Sequence, residues 1–571
     1  MADVYDKVME LAKRRGFVWP SSEIYGSVAG LIDYGPLGAM MKRKIENLWR
    51  DYYVAREGYF EIECPTVGEE AIYIASGHVK GFADKMVQCP HCKEYHRADH
   101  VCEAHNIEHA ETKTLGELTE ILRNLPCPTC GKTFDGAEAH YFNLMFHTTI
   151  GPGSQRTGYL RPETAQGIFT DFGRLLRFYR DKLPFGTVQI GKSYRNEISP
   201  RQGMIRLREF TQAEAEIFVH PQHKEHPNFE RYADRVVPLR GIKQQENDED
   251  PVAITIREAV KSGIVANEYV GYYIALTHDF LISCGADPAR IRFRQHLPDE
   301  RAHYATDCWD AEVLSARFGW VEVVGIADRT DYDLKAHAAQ SGDSFTAFIP
   351  YDEEKKVREM KIVADMGALG PKFKGKAKAV ADLLAASKPT ENGAEIVLDG
   401  EKILIPPELY KVREQETVIR GEEVRPHVIE PSYGIDRILY SVLEHAFDEE
   451  DVDGETRTVL RISKKIAPIQ VAVLPLMSRD GLDTIALELM AEIQDEGLIA
   501  QYDDSGAIGR RYRRQDEIGT PFAVTVDYDT KEDNTVTLRD RDSMKQIRIP
   551  KDHLAETLRK LIRGKVAFEN L

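Results

Sequence analysis

Two short stretches rich in arginine and glutamate, Ser193-Tyr194-Arg195-Asn196-Glu197 and Arg206-Leu207-Arg208-Glu209-Phe210-Thr211-Gln212-Ala213-Glu214, are joined by a link containing proline and glycine. On neighbouring strands they would set guanidinium groups and carboxylates on one sheet face. The planar fork of arginine suits bidentate contact with phosphate, and a carboxylate beside it can hold an ammonium or an amine donor. Such a face can take a nucleotide and an amino acid together; a solvated hairpin laced with weak exposed ion pairs is the plainer alternative. Two further strings weigh against the plain one: Arg161-Pro162-Glu163-Thr164-Ala165-Gln166-Gly167 upstream, and Glu430-Pro431-Ser432-Tyr433-Gly434-Ile435-Asp436-Arg437 downstream. The second places a glycine turn and then Arg437 in the first turn of an apolar helix over Ile438 to Phe447, where free N–H groups and the helix dipole favour anions.

A second kind of chemistry is announced by Cys89-Pro90-His91-Cys92 and Cys127-Pro128-Thr129-Cys130-Gly131. Two C-x-x-C knuckles, each with the proline or glycine that turns backbone N–H groups toward sulfur, predict a closed tetrahedral zinc site of structural type. Reduced, unliganded cysteines are the alternative, and Cys102 with His105 could replace one pair. A catalytic metal is not expected, since four protein ligands leave no open position. Cys64, Cys284 and Cys308 are expected as buried packing residues. Near the C-terminus, Arg510-Arg511-Tyr512-Arg513-Arg514 is a basic cluster with an aromatic, of a kind that grips a phosphate backbone while the ring stacks on a base; a helix start with a cationic face is the other reading.

The elements that must position these groups can be traced along the 571 residues, enough for about four domains. Val4, Val8, Leu11 and Ala12 recur at helical spacing up to Arg14-Arg15-Gly16, and the acidic start Met1-Ala2-Asp3 carries no leader-like apolar run. A second helix is predicted over Met40 to Ala55, then a strand alternating through Tyr59, Glu61 and Glu63, ending at Pro65 and suited to a subunit contact. Residues 86–140 are expected as an insertion, 225–300 as a helical insertion, and 330–425 as a further insertion with an Asp399-Gly400 hairpin turn. Strands are predicted at Phe185 to Ser193, Ile205 to Val219 and Trp320 to Ala327, and a solvated loop over residues 244–250. From Ala467 the pattern becomes strand (Ile469 to Leu474), helix (Asp483 to Glu496), strand (Phe522 to Val526), which predicts a small α/β domain over 461–571.

Charge agrees with that division. The chain carries 75 Lys+Arg against 93 Asp+Glu, a formal −18, which excludes a protein that coats nucleic acid by bulk positive charge. From Arg461 to Leu571 there are 18 Lys+Arg against 19 Asp+Glu, so the tail meets a polyanion with least repulsion. No run approaches the length of a membrane span, and paired cysteines without a disulfide framework point to a reducing, cytoplasmic setting.

The strings RPETAQG and EPSYGIDR, with the two arginine-rich segments, resemble class II aminoacyl-tRNA synthetases, and among them the glycyl-tRNA synthetases of the archaeal and eukaryotic type. Glu57 to Pro65 is similar to that class's first motif, Tyr194 to Phe210 to its second and Gly434 to Arg437 to its third. A single glycine and Asp436, where glutamate is usual, depart from the general pattern of the third and suit the glycyl branch. The resemblance implies an α+β fold: the class II antiparallel sheet flanked by helices, over 1–85 and 141–460, a zinc-ribbon-like insertion, and a C-terminal α/β anticodon-binding domain. It implies ATP with Mg²⁺, structural Zn²⁺, glycine and tRNA(Gly) as ligands and partners, and a homodimer.

The same resemblance implies roles. Arg195 would contact the α-phosphate and the amino-acid carboxylate, Arg437 the γ-phosphate of a bent ATP, and these two would be the catalytic pair. Glu197 would hold the adenine amino group, Phe210 stack on the base, Arg206 reach the distal phosphates and Glu322 approach ATP and its Mg²⁺, with Asn196, Leu207, Val323 and Gly434 completing the nucleotide site. Glu163, Glu214, Glu430 and Ser432 would surround the glycine ammonium, with Phe210 beside them; Arg97 would lie near the substrate and the acceptor end, or else serve the neighbouring metal site. Alanine's extra methyl is worth only about 1–3 kcal/mol to a pocket with room for it, so selection for glycine needs a pocket too tight to admit it. Three rival functions are a class II synthetase for another small amino acid such as serine, threonine or proline, a catalytically inactive RNA-binding paralogue, and aminoacylation of a protein carrier.

Overall fold

A computed structural model describes residues 3–571 apart from 108, 154–155, 199, 201, 299, 301–304, 388–389 and 391–392. Met1 and Ala2 of the acidic start, and Ser199 and Arg201 of the link between the arginine-rich segments, thus lie outside the described residues. The chain forms two compact units, residues 1–345 with 425–571, and residues 346–424.

The first unit is organised by a nine-stranded sheet. Its strands are β1 (Phe60–Glu61), β2 (Phe185–Tyr194), β3 (Glu209–Val219), β4 (Val236–Arg240), β5 (Val252–Thr255), β6 (Ile291–Gln295), β7 (Asp307–Ser315), β8 (Gly319–Thr330) and β9 (His427–Gly434), in the spatial order β5-β4-β6-β7-β8-β9-β3-β2-β1. All neighbours are antiparallel except β1 with β2 and β4 with β6. One face packs on the core: Ala213, Ala215 and Ile217 of β3, Trp309, Ala311 and Val313 of β7, and Ile429 and Tyr433 of β9. Helices α1 (Val4–Arg14), α2 (Pro36–Arg50), α3 (Glu268–Cys284) and, after β9, Ile435–Ala446 supply the other half of that core. Trp49 stacks on Tyr53 with ring centres 4.5 Å apart, and the Tyr433 hydroxyl is shared with Tyr53 at 2.9 Å and Thr277 at 2.6 Å, so the buried rings are satisfied as well as packed.

Several boundaries differ from the sequence expectation for identifiable reasons. The second helix begins at Pro36, whose fixed φ suits a first helical position, and ends at Arg50, where a wider turn takes over through Arg56. Of the strand expected over 57–65 only Phe60–Glu61 pairs, along Thr187 and Val188. The strand expected from Ile205 begins at Glu209, after a tight turn over Gly203–Ile205. Residues 225–300 are not a helical insertion set apart from the sheet: they furnish β4, β5 and β6, and α3 lies wholly in the main core. The 244–250 segment starts as helix, over Ile242–Glu246. Residues 86–140 belong to a module that begins and ends outside them, with a three-stranded sheet of Ala83–Gln88, Tyr95–Arg97 and His140–Asn143 over its own core of Val87, Val101, Leu118 and Phe134.

The segment 330–425 likewise divides. Residues 330–345, including the helix Tyr332–Ser341, belong to the first unit, and the separate unit begins at Thr346. That unit is a long hairpin of Ala347–Ala364 on Tyr410–Val424, two helices, and a small hairpin whose strands Ala394–Leu398 and Glu401–Ile405 turn at Asp399-Gly400, both at positive φ.

The C-terminal part has a five-stranded sheet and a separate core built on Val471, Val473, Leu489, Val524, Leu538 and Leu558. Its strand Phe522–Val526 coincides with the expectation, as five consecutive buried apolar or small positions make it unambiguous. An ion cluster around the buried Asp516 joins this part to the hairpin Phe447–Leu460: buried Arg457 donates to Asp516 at 2.8 Å and to the half-buried Glu450, while Arg539 donates to Asp516 at 3.0 Å. Removing one partner strands a buried charge, at about 3–5 kcal/mol. Asp516→Ala should therefore lower unfolding free energy by about that amount in chemical denaturation; a loss below 1 kcal/mol would show that water enters the cluster.

Candidate active site

The two-residue period of the central strands decides what faces the cleft. Opposite the core-facing side chains named above stand Gln212, Glu214 and Glu216 of β3, Glu430 and Ser432 of β9, and Cys308, Asp310 and Glu312 of β7. Ser432 lies opposite Glu214 on one side and Gly325 on the other, and Asp310 lies opposite Gly325, so one polar row crosses four strands.

A cleft of about 640 Å³ opens over this face. It is lined by Arg195, Glu197, Arg206, Leu207, Phe210, Glu322, Val323, Ser432, Gly434 and Arg437 from the expected set, together with Met204, Ile205, Gln212 and Asp436. The Arg195 guanidinium lies between the rings of Phe82 and Phe210, 5.4 and 5.3 Å from their centres, with Nε donating to the Pro162 carbonyl at 3.3 Å. Arg437, in the first turn of the helix Ile435–Ala446, donates to the Ile205 carbonyl at 3.0 Å and to the Glu322 carbonyl at 2.8 Å, and reaches the Glu322 carboxylate at 3.2 Å. Arg206 pairs with Glu197 at 2.7 Å. Protein crowding at the cleft floor raises the Glu322 carboxyl, and Arg437 and Arg195 outweigh it, holding it below the usual range. Asn196 does not line the cleft; its backbone N–H donates to the Leu144 carbonyl at 2.7 Å and fixes the loop.

The acidic end lies beside Ser432. Its hydroxyl donates to Glu214 at 2.6 Å, and Glu214 also accepts from the backbone N–H of Thr164 at 2.8 Å and from Gln212 at 3.0 Å. Glu430 accepts from Arg329 at 2.8 Å, and Glu163 from Gln166 at 2.8 Å, with His78 3.5 Å away. Burial raises the Glu163 carboxyl, but His78 and Arg329 overcome it and leave Glu163 ionised well below the usual range. The Glu214 carboxyl is raised by burial and by the charge of Glu163. Glu430 is pushed up to about 7 by burial, against the pull of Arg329 and with the push of Glu214 and Glu163.

Arg97 stands outside the main cleft, in an adjoining cavity of about 480 Å³ that shares Glu197 and Arg206 with it and is also lined by His96 and His100. It is held by Asp99 at 2.5 Å and Asp84 at 3.3 Å. The sulfurs of Cys89, Cys92, Cys127 and Cys130 lie within 4.8 Å of one another. Both knuckles close alike, Lys93 N–H onto Cys89 O at 3.0 Å and Gly131 N–H onto Cys127 O at 2.9 Å, with Lys93 and Gly131 at positive φ. Cys102 and His105 lie outside this cluster, His105 being spent on the Val101 carbonyl at 2.9 Å.

The Arg510 to Arg514 cluster takes the other form its sequence offers, the start of a helix, and does not present all four arginines together. It lies on the helix Ile508–Ile518, whose period turns Arg511 inward, 3% exposed, to donate to the Gly506 carbonyl at 2.7 Å and to that of Pro475. The Tyr512 hydroxyl pairs with Thr525 at 2.6 Å, and Arg514 is bound to Asp503 at 2.6 Å. Arg510 stays exposed.

Comparison with known proteins bears on the same geometry. Residues 148–378 match the family described as tRNA synthetase class II core domain (G, H, P, S and T), and residues 470–561 match the anticodon binding domain. The chain is 52% identical to the glycine–tRNA ligase of Methanothrix thermoacetophila, covering 99% of this chain and 98% of that one, and 50% identical to that of Methanocaldococcus jannaschii, covering 98% and 99%. The chain belongs to the glycine–tRNA ligases. Among solved structures, prolyl-tRNA synthetase from Cryptosporidium parvum, complexed with L-proline and AMP, is similar at a TM-score of 0.52 and 12% identity, over 98% of this chain and 76% of that one, a likeness of fold.

Two site residues of this glycine–tRNA ligase family member, Arg329 and Glu216, escape a reading of its sequence, and Asp436, noted there for its residue type alone, has a structural role that reading does not give. Arg329, 5% exposed, binds Asp333 at 2.8 and 3.0 Å besides Glu430 and is the counter-charge of the acidic end. Arg329 lies at the end of the strand β8 and Asp333 in the first turn of the helix Tyr332–Ser341, so neither a strand period nor a helix period announces their pairing. Glu216 is fully buried beside Glu214 and Glu430, and neither carboxyl oxygen has a partner among the described residues. Asp436, 3% exposed, accepts from the Thr211 N–H at 2.5 Å and from the Tyr34 hydroxyl, tying the helix that carries Arg437 to the start of β3. Asp436→Ala leaves that N–H unsatisfied at about 1–3 kcal/mol. Its thermal midpoint should fall, while Asp436→Asn, which keeps one acceptor, should fall less; equal losses would place the effect in packing alone.

Proposed function

We propose that this chain activates glycine with ATP in the cleft over β3, β8 and β9 and transfers it to the 3′ end of tRNA(Gly). The convergence of Arg195, Glu322 and Arg437 on one side of Ser432, with Glu214 and Glu430 on the other, carries this reading. A glycine carboxylate oxygen attacks the α-phosphorus of ATP, the bond to the bridging oxygen breaks and pyrophosphate leaves; a ribose hydroxyl of the terminal adenosine then attacks the glycyl carbonyl and AMP leaves. Neither step needs a side-chain nucleophile, so the protein contributes alignment and fixed positive charge. Arg195, stacked between two rings, addresses the α-phosphate and carboxylate; Arg437 and Arg206 address the distal phosphates; Phe210 stacks on adenine and Glu197 receives its amino group. Mg²⁺ bound with the nucleotide neutralises phosphate charge, and Glu322 would help hold it. The ammonium is received by Glu163, Glu214, Glu430 and Ser432, and Arg97 faces the acceptor end from the adjoining cavity.

The inactive-paralogue alternative is disfavoured because Arg195, Glu197 and Arg437 all line one cleft. The glycine–tRNA ligase relatives at about 50% identity over nearly the whole chain favour glycine over serine, threonine or proline. The 461–571 segment, with its anticodon-binding match, argues against a protein carrier. Cys89, Cys92, Cys127 and Cys130 would hold structural zinc, which four thiolates at this spacing suit. A homodimer through the β1 edge is supported by Phe60 and Phe178, 52% and 60% exposed with rings 5.0 Å apart. Eight free cysteines accord with a reducing cytoplasm.

Arg195→Ala and Arg437→Ala should each remove roughly 3 kcal/mol of transition-state stabilisation, about a hundredfold or more in glycine-dependent pyrophosphate exchange. Exchange near the wild-type rate in either variant refutes that residue's role. Glu430 gains a proton as pH falls through about 7, and the ammonium then loses an attracting charge. The KM for glycine should rise as pH falls from 8 to 6, while that for ATP stays level, and Glu430→Gln should flatten the glycine profile; a pH-independent glycine KM in the unaltered enzyme would contradict the assignment.

A further inference from the structure

Beyond the acidic end of the cleft, the same open sheet face carries a second group of ligating side chains. His296 follows β6, and Cys308 and Asp310 occupy adjacent outward positions on β7; one ligand atom from each lies within 4.8 Å of the others. The His296 backbone N–H donates to the Cys308 carbonyl at 2.9 Å, so the two strands hold imidazole and thiol side by side. One imidazole nitrogen, Nε2, lies 2.8 Å from Asp310 Oδ2; the other, Nδ1, is buried without a partner among the described residues. The two ring nitrogens diverge, so an ion shared with Asp310 would take Nε2, which already stands at a co-ligand's distance from the carboxylate, and would replace their hydrogen bond.

The surrounding charge selects a cation. Arg292, Arg294 and Arg437 are the neighbouring guanidinium groups, Arg294 standing 3.6 Å from Asp310 itself and Arg437 3.2 Å from Glu322. Four carboxylates answer them: Arg292 binds Glu312 at 2.6 Å, Arg294 binds Glu300 at 2.7 Å and lies 3.4 Å from Glu312, and Asp310 and Glu322 add two more charges. The donor set of one imidazole, one thiol and one carboxyl is borderline-soft, which suits zinc-like ions and not Mg²⁺. Ligand atoms of a tetrahedral zinc site stand roughly 3–4 Å apart, given bonds of about 2.0–2.3 Å, so closing from 4.8 Å needs only a side-chain adjustment.

We propose that His296, Cys308 and Asp310 form a three-ligand site for a zinc-class divalent cation, separate from the four-cysteine knuckles. Its fourth position opens on the sheet face shared with Ser432 and Glu430, where Gly325 and Ala327 are the small residues between. Cys308 is thus a ligand rather than the inert packing residue its sequence suggests. The site and the catalytic reading are independent: either can fail alone.

The test is Co²⁺ titration of the chelator-treated full-length chain, followed by absorption and by metal analysis after gel filtration. The unaltered protein should take two equivalents, one with the intense thiolate-to-cobalt band of a four-sulfur site and one with a weaker band. Cys308→Ser should take one and keep the intense band, and His296→Gln should do the same, each with an unchanged thermal unfolding transition to show that its main sheet is folded. Cys89→Ser should lose the intense band and keep the weaker. Uptake of a single equivalent by the unaltered protein, or of the same number by it and by both Cys308→Ser and His296→Gln, would overturn the site.

Discussion

The period of two along β3, β7, β8 and β9 is the constraint on which the molecule depends. A strand that sends Ala213, Ala215 and Ile217 into the core must send Gln212, Glu214 and Glu216 the other way. The aromatic packing beneath and the charged floor above are therefore one structure seen from two sides. A one-residue slip of β9 against β3 would put Tyr433 in the cleft and Ser432 under Trp49, so the hydrophobic core that stabilises the sheet also fixes the register of the chemistry.

A face with so many ionisable groups survives because each charge is answered locally. Arg206 faces Glu197, Arg437 faces Glu322, and Arg329 is divided between Asp333 and Glu430. These pairs have different futures. Arg206 and Arg437 are partly exposed, so under the proposed reading a triphosphate would replace attractions already present instead of meeting bare cations. Arg329 is sealed at 5% exposure and cannot trade; it stays to balance the acidic end. Binding energy at the nucleotide end is accordingly a difference between two sets of charge-assisted hydrogen bonds, which favours the partner that offers more oxygens per guanidinium.

What could be read in the sequence follows from how local each signal is. The strings around Arg161, Arg195, Glu430 and Arg437 each carry their own turn, strand or helix start, and most residues expected at the nucleotide end line one cleft. The small α/β pattern at the C-terminus was equally plain, because buried strands such as Phe522–Val526 need no partner to be recognised. Non-local facts were not legible. Nothing in residues 225–300 announces that their short strands join the main sheet, since edge strands of four or five residues owe their form to the neighbour they pair with. The Arg510 to Arg514 run was only half legible, as a helix start, because composition alone does not say which arginine a helix turns inward. Arg329 and Glu216 were silent because Glu430, the neighbour that ties both to the acidic end, lies more than a hundred residues further on.

The loop after Tyr194 has a consequence for how the molecule responds to load. Asn196 is bolted by its amide to Leu144, where the cysteine-bearing module returns to the sheet, and Arg195 is wedged against Phe82, where that module departs. Both ends of the appendage thus grip the same five-residue segment. The position of the Arg195 guanidinium in the cleft is therefore set in part by where the module enters and leaves the sheet, so a displacement of the module is a displacement of that side chain's seat.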